Sequence, residues 1–136
     1  MFNPFVSKSS KNKPGRILLV EDDRIIAAAE LKLLKKLGYS VTVAASGKEA
    51  VDIINANPSD TDLILMDIDL GRGMDGTAAV REILKLHDIP VLFLSGSSDP
   101  DTIERLDDVL SYGFVVKGAD ISILAASIKM AFRLHM

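Results

Sequence analysis

The stretch Asp62-Leu-Ile-Leu-Met-Asp67-Ile-Asp69-Leu70 constrains the fold of this chain more than any other. Leu63 to Met66 form a short apolar run, the pattern of a strand buried on both faces of a parallel sheet. A strand of this kind that ends in Asp67 presents a carboxylate where the loops begin, and in open α/β sheets ligands bind at that edge. The plainer reading is that Asp67 caps a turn or the next helix, as acids often do. What the other strand ends bring to the same edge decides between the two.

Residues 1–15 hold three serines, three lysines, two prolines and a glycine, and read as a flexible, solvated N-terminal tail. From Arg16 the pattern changes. Ile17-Leu-Leu-Val20 is a predicted strand that stops at Glu21-Asp22-Asp23, followed by a helix over 24–37 that Gly38 terminates. Ile26, Ala27, Leu31, Leu33, Leu34 and Leu37 make the apolar arc of that helix, with Glu30 near its middle, where a carboxylate is out of place unless it finds a hydrogen bond or reaches water. A second strand is predicted over 41–44 and a helix over about 47–56, ended by Pro58. After the central strand come a glycine-rich loop and a helix over about 77–86. A fourth strand, 90–94, ends at Ser95. A fourth helix is capped by Asp99 or Asp101, a fifth strand spans 112–116 and ends at Lys117, and a last helix starts near Asp120. Five strands alternating with five helices imply one α/β domain over 16–136: a doubly wound parallel sheet with helices on both faces.

Composition narrows the function classes. The chain has 136 residues, enough for one good core. The three lysines of residues 1–15 face no acid there, so the remainder stands at −6 against −3 for the whole, which argues against a nucleic-acid partner. Cysteine is absent, which excludes a disulfide framework and thiolate metal ligands and suits the cytoplasm. No apolar run is long enough to insert in a bilayer, and residues 1–15 lack the apolar core of a signal peptide.

In a parallel sheet all carboxyl ends share one edge. The first strand delivers Glu21, Asp22 and Asp23 there, the third Asp67 and Asp69, the fourth Ser95 and the fifth Lys117. Carboxylates this close repel one another unless a cation sits among them. Oxygen donors without histidine or cysteine favour Mg²⁺. Metal, ammonium, hydroxyl and one remaining carboxylate oxygen together make a phosphoryl-transfer site. Taken singly, each of these groups is more often a cap or a solvated charge, and a structural α/β domain with polar strand ends is the alternative for the whole set.

Over residues 16–134 the chain resembles the response-regulator receiver domain of two-component phosphorelays. Val20-Glu-Asp-Asp23 matches the acidic strand end of that family, Asp67 its phosphoaccepting aspartate, Ser95 its Ser/Thr position, Phe114 its aromatic switch position and Lys117 its lysine. The resemblance implies a flavodoxin-like strand order 2-1-3-4-5. It also implies a magnesium site in which Asp22 and Asp67 are direct ligands, Glu21 acts through water and Asp69 contributes its backbone carbonyl. It implies a signalling domain rather than an enzyme, phosphorylated on Asp67 by a sensor histidine kinase or phosphotransfer protein. The state would be read on the face made by the fourth helix, fifth strand and last helix. Two features depart from the family pattern: the loop 69–76 is longer and lacks proline, and Gly118 stands where a proline usually follows the lysine. The loop and the stretch Ser111-Tyr-Gly-Phe-Val-Val-Lys-Gly are similar to receivers associated with sensor histidine kinases. Asp67-Ile-Asp69 also has the Asp-x-Asp form of haloacid-dehalogenase-type phosphatases, although there the motif opens the fold, and a receiver kept only for docking is a third reading. The last helix carries two stripes. Ile121, Leu124, Ala125, Ile128 and Phe132 are assigned to the core, and Ile123, Met130 and Leu134 to a surface for self-association or continuation as a signalling helix.

Overall fold

The computed structural model describes residues 15–70, 75–96, 104 and 112–135. Its strands are Arg16–Val20 (β1), Ser40–Ala44 (β2), Leu63–Asp67 (β3), Val91–Ser95 (β4) and Phe114–Val116 (β5). The helices assigned among the described residues are Arg24–Lys36 (α1), Gly47–Ala56 (α2), Gly76–Leu84 (α3) and Ile121–His135 (α4), with a 3-10 turn at Pro58–Asp60. All strand pairings are parallel and the sheet order is β2-β1-β3-β4-β5, the flavodoxin-like order expected. The predicted tail up to residue 14, loop residues 71–74 and the predicted fourth helix apart from Glu104 lie outside the described residues.

Local chemistry explains the helix starts. Asp23 accepts the N–H groups of Ile25 and Ile26, Ser46 that of Glu49 and Asp75 that of Ala78, so the first turns of α1, α2 and α3 each have one or two of their free donors capped. Two boundaries differ from expectation by more than one residue. Helix α3 ends at Leu84 rather than near Leu86, because the N–H groups of Leu86 and His87 both close back on the Ile83 carbonyl, and Leu86 is left exposed. Strand β5 is three residues rather than five, because Gly113 at φ +104 leaves the extended region.

The three central strands, β1, β3 and β4, are buried on both sides, and residue parity sorts the inward-facing side chains into two layers. Leu18, Val20, Ile64, Met66 and Phe93 pack with Ala50 and Ile54 of α2 and Ala79, Val80 and Ile83 of α3. Ile17, Leu19, Leu63, Leu65, Leu92, Leu94 and Val115 pack with Leu34 of α1 and Leu124, Ile128 and Ala131 of α4. Each such side chain contributes about 1.5–3 kcal/mol on burial, so a strand exchanging its two faces would lose most of the core. That demand holds the register, and the register holds the site.

Candidate functional site

Pairing carries the polar strand ends into line. Val20 is opposite Met66, which sets Glu21 beside Asp67. Asp67 is opposite Leu94, which puts Ser95 one step further on, and Ser95 is opposite Val116, which brings Lys117 next. The last step is locked by the Lys117 N–H, which donates to the Ser95 carbonyl at 2.6 Å.

Glu21, Asp67 and Ser95 are buried, while Asp22 and Asp69 are exposed. The Lys117 ammonium lies 2.7 Å from Glu21 Oε1 and 3.0 Å from Asp67 Oδ2, with its own side chain 18% exposed and both carboxylates 1%. These are charge contacts: neither oxygen receives a well-directed hydrogen bond. The other two oxygens are held by backbone, Glu21 Oε2 by the Asp23 N–H at 3.2 Å and Asp67 Oδ1 by the Asp69 N–H at 3.0 Å. Asp67 therefore does cap its turn, and it also keeps a buried oxygen for the site.

Burial pushes the Glu21 carboxyl above its ordinary value; Lys117 opposes this, and Asp67 adds to it. Burial alone would lower Lys117, but its close charge contacts with Glu21 and Asp67 outweigh that and hold it above the usual lysine value. One ammonium thus partly neutralises two buried acids, and a third carboxylate is nearby. Oxygens of Glu21, Asp22 and Asp67 lie within 4.8 Å of one another. Three carboxylates, two of them with buried oxygens lacking an aligned donor, fit a hard divalent cation.

Asp69 stands apart from that cluster: it contributes its N–H to Asp67, and its side chain faces outward. Phe114 is half-buried, opposite Phe93 in register and packed on the layer under α2 and α3. The peptide bonds of the described residues are trans, that between Lys117 and Gly118 included, and Gly118 takes φ +82, which a proline cannot adopt.

Two residues near the site escaped the sequence reading of roles. A Cβ on Gly76 would run into the Asp67 carbonyl oxygen, so the start of α3 closes directly over the backbone of the acid. Glycine at the first helical position after the Asp75 cap was the available signal. Glu30 is the other. Its Oε2 is shut from solvent with no hydrogen-bond partner, and its carboxyl is pushed up to about 7 by burial first and by Glu21 and Asp67, against the pull of Lys117. Its place inside an apolar arc was visible; what it faces was not.

A family model described as the response regulator receiver domain matches residues 17–129. The chain is 32% identical over 114 residues to the sensor kinase CckA of Brucella abortus, covering 83% of this chain and 12% of that protein. It is 33% identical over 119 residues to the transcriptional regulatory protein PdtaR of Mycobacterium tuberculosis, covering 87% and 57%. The chain thus spans only part of the length of these relatives. Among solved structures, the N-terminal domain of a response regulator/sensory box/GGDEF three-domain protein from Carboxydothermus hydrogenoformans superposes with a TM-score of 0.82 at 38% identity, over 88% of this chain and 95% of that one.

Proposed function

The chain belongs to the response regulator receiver family of two-component signalling, and on that premise we propose that Asp67 is its phosphoacceptor. The observation that carries the reading is the buried pair Glu21 and Asp67 held by Lys117, with Asp22 within ligand distance. An Asp67 carboxylate oxygen forms the new P–O bond as the bond from phosphorus to the donor's leaving group breaks. Lys117 meets the negative charge that collects on the phosphoryl oxygens, and the Asp69 N–H keeps the carboxylate plane oriented. Glu21, Asp22, Asp67 and the Asp69 carbonyl would hold magnesium, which when bound neutralises charge between carboxylate and phosphoryl group.

Ser95 then supplies a hydroxyl to the phosphoryl group, and its movement frees space for Phe114, which biases the surface around β5 and α4. The donor is a sensor histidine kinase or a phosphotransfer protein, and the working compartment is the cytoplasm. No helix among the described residues is long and apolar enough to cross a membrane. The chain acts as a signalling domain, with only its own phosphorylation and dephosphorylation as chemistry.

Incubation with acetyl phosphate and magnesium, followed by intact mass measurement, tests the assignment. A single base-labile phosphoryl adduct is expected, lost in Asp67→Asn and without magnesium. Unmodified protein, or an adduct that persists in Asp67→Asn, would overturn it.

The surface for output is apolar. Ile123, Met130 and Leu134 on α4 are 53%, 51% and 58% exposed, a stripe distinct from the buried Leu124, Ile128 and Ala131. We propose self-association through this face, favoured by phosphorylation. Sedimentation with and without the phosphodonor should show a dimer that Met130→Glu weakens at least tenfold; a strictly monomeric chain in both states refutes it.

A further inference from the structure

Glu30 opens on a partly open cavity of about 50 Å³ between α1 and the sheet, walled by Leu34, Leu65, Leu94, Val115 and Leu124 and lined also by Lys117. The walls are apolar, so a carboxyl group here is costly unless something polar meets it. No described protein group hydrogen-bonds its buried oxygen. Lys117 lines the same cavity, and its ammonium carries three donors while it keeps charge contacts with Glu21 and Asp67. A water needs about 10–15 Å³ and two or more polar partners, so the cavity has room for roughly three, between the unpartnered Glu30 oxygen and Lys117, which also lines it. The charged groups acting on Glu30 come from three elements: Glu21 after β1, Asp67 at the end of β3 and Lys117 after β5.

We infer that Glu30 is a second carboxyl partner of Lys117, reached through water in this cavity, and that it positions the ammonium for phosphoryl transfer. The inference rests on the proposed phosphoacceptor role for its consequence, although not for the contact itself. The physical need is plain. Lys117 is followed by Gly118 at φ +82 rather than by a ring that restrains the backbone, so the ammonium depends on its partners for its place. Glu21 and Asp67 pull it towards the acid cluster, and Glu30 holds it from the side of α1. With a carboxyl pushed up to about 7 by burial first, then by Glu21 and Asp67 against the opposing pull of Lys117, the restraint also changes with proton occupancy near neutrality.

Two measurements decide it. The first is a carbon-detected NMR titration of the Glu30 carboxyl in the full chain, which needs neither metal nor phosphodonor. In Lys117→Met the Glu30 midpoint should move up by about half a unit or more, since an attractive charge has gone; an unmoved midpoint overturns the contact. The second compares phosphorylation and dephosphorylation rates from pH 6 to 8. Glu30→Gln keeps the polar bridge in its neutral form and should hold the parent's pH 6 rate across the range, flattening the pH profile. Glu30→Leu fills and dries the cavity and should slow phosphoryl transfer about tenfold, as misplacement of a reacting group does. Parental rates and pH profile in both variants would overturn the positioning role. A chain that accepts no phosphoryl group at all would refute the proposed function instead, and the titration would still settle whether Glu30 reaches Lys117.

Discussion

Asp62 and Asp67 stand at the two ends of the same strand, β3, and are held in opposite ways. Asp62 takes the N–H groups of Gly15 and Arg16 and the Arg16 guanidinium, all at 2.9–3.3 Å. Burial pushes its carboxyl up, but the Arg16 hydrogen bond, the two backbone N–H bonds and the guanidinium charge outweigh that and leave it below the usual value. Asp67 is more deeply buried and receives one backbone N–H, and it shares a single ammonium with Glu21. One end of the strand is electrostatically closed and the other is short of positive charge. The lesson is that an acid serving structure is satisfied in the resting fold, whereas an acid serving chemistry is left needing a ligand.

Removing the cation at the open end should break this contrast most sharply. Lys117→Met leaves two buried carboxylates facing each other, and loss of one partner of a buried pair costs about 3–5 kcal/mol. Chemical denaturation at pH 8 should show about 3 kcal/mol lost, and the loss should shrink as pH falls and Glu21, whose carboxyl already lies above its ordinary value, takes up a proton. A loss independent of pH would mean that the acids do not depend on the lysine.

The two regions should also differ in the sign of their pH dependence. Glu30 and Glu21 are raised in the folded chain, so their contribution is fully present below the unfolded value of about 4.5 and disappears as pH rises through the folded value, about 7 for Glu30. Asp62 is lowered, so its contribution is present above its unfolded value and disappears as pH falls through the folded one. Glu30→Gln should therefore stabilise the chain at pH 8 by about 1–2 kcal/mol, allowing for solvent screening, and by almost nothing at pH 5. Denaturation of both proteins across that range checks it. Equal effects at the two values would remove Glu30 from the account.

The smallest effect belongs to the closed end. Asp62→Asn keeps an acceptor for the Gly15 and Arg16 N–H groups and loses the charge, and the ion pair it breaks is with a half-exposed guanidinium. A loss of about 1 kcal/mol is expected, shrinking in high salt. A loss as large as that of Lys117→Met would erase the distinction between the ends.

Much of this was legible along the chain. Strand ends such as Val20-Glu21, Met66-Asp67 and Val116-Lys117 announce themselves locally, because an apolar run that stops at a charge marks where a buried strand meets solvent. Alternation with amphipathic helices implied parallel strands, and parallel strands put Glu21, Asp22, Asp67, Ser95 and Lys117 at one edge. Tertiary packing decided what periodicity cannot carry. It placed Lys117 between Glu21 and Asp67, left Asp69 facing outward and turned Phe114 onto the layer under α2 and α3, because those outcomes depend on register between strands distant in sequence. It also set Gly76 against the Asp67 carbonyl and aimed Glu30 into the cavity beside Lys117. Such close approaches are decided by the side chains of other elements, whereas a local pattern records only which residues are apolar.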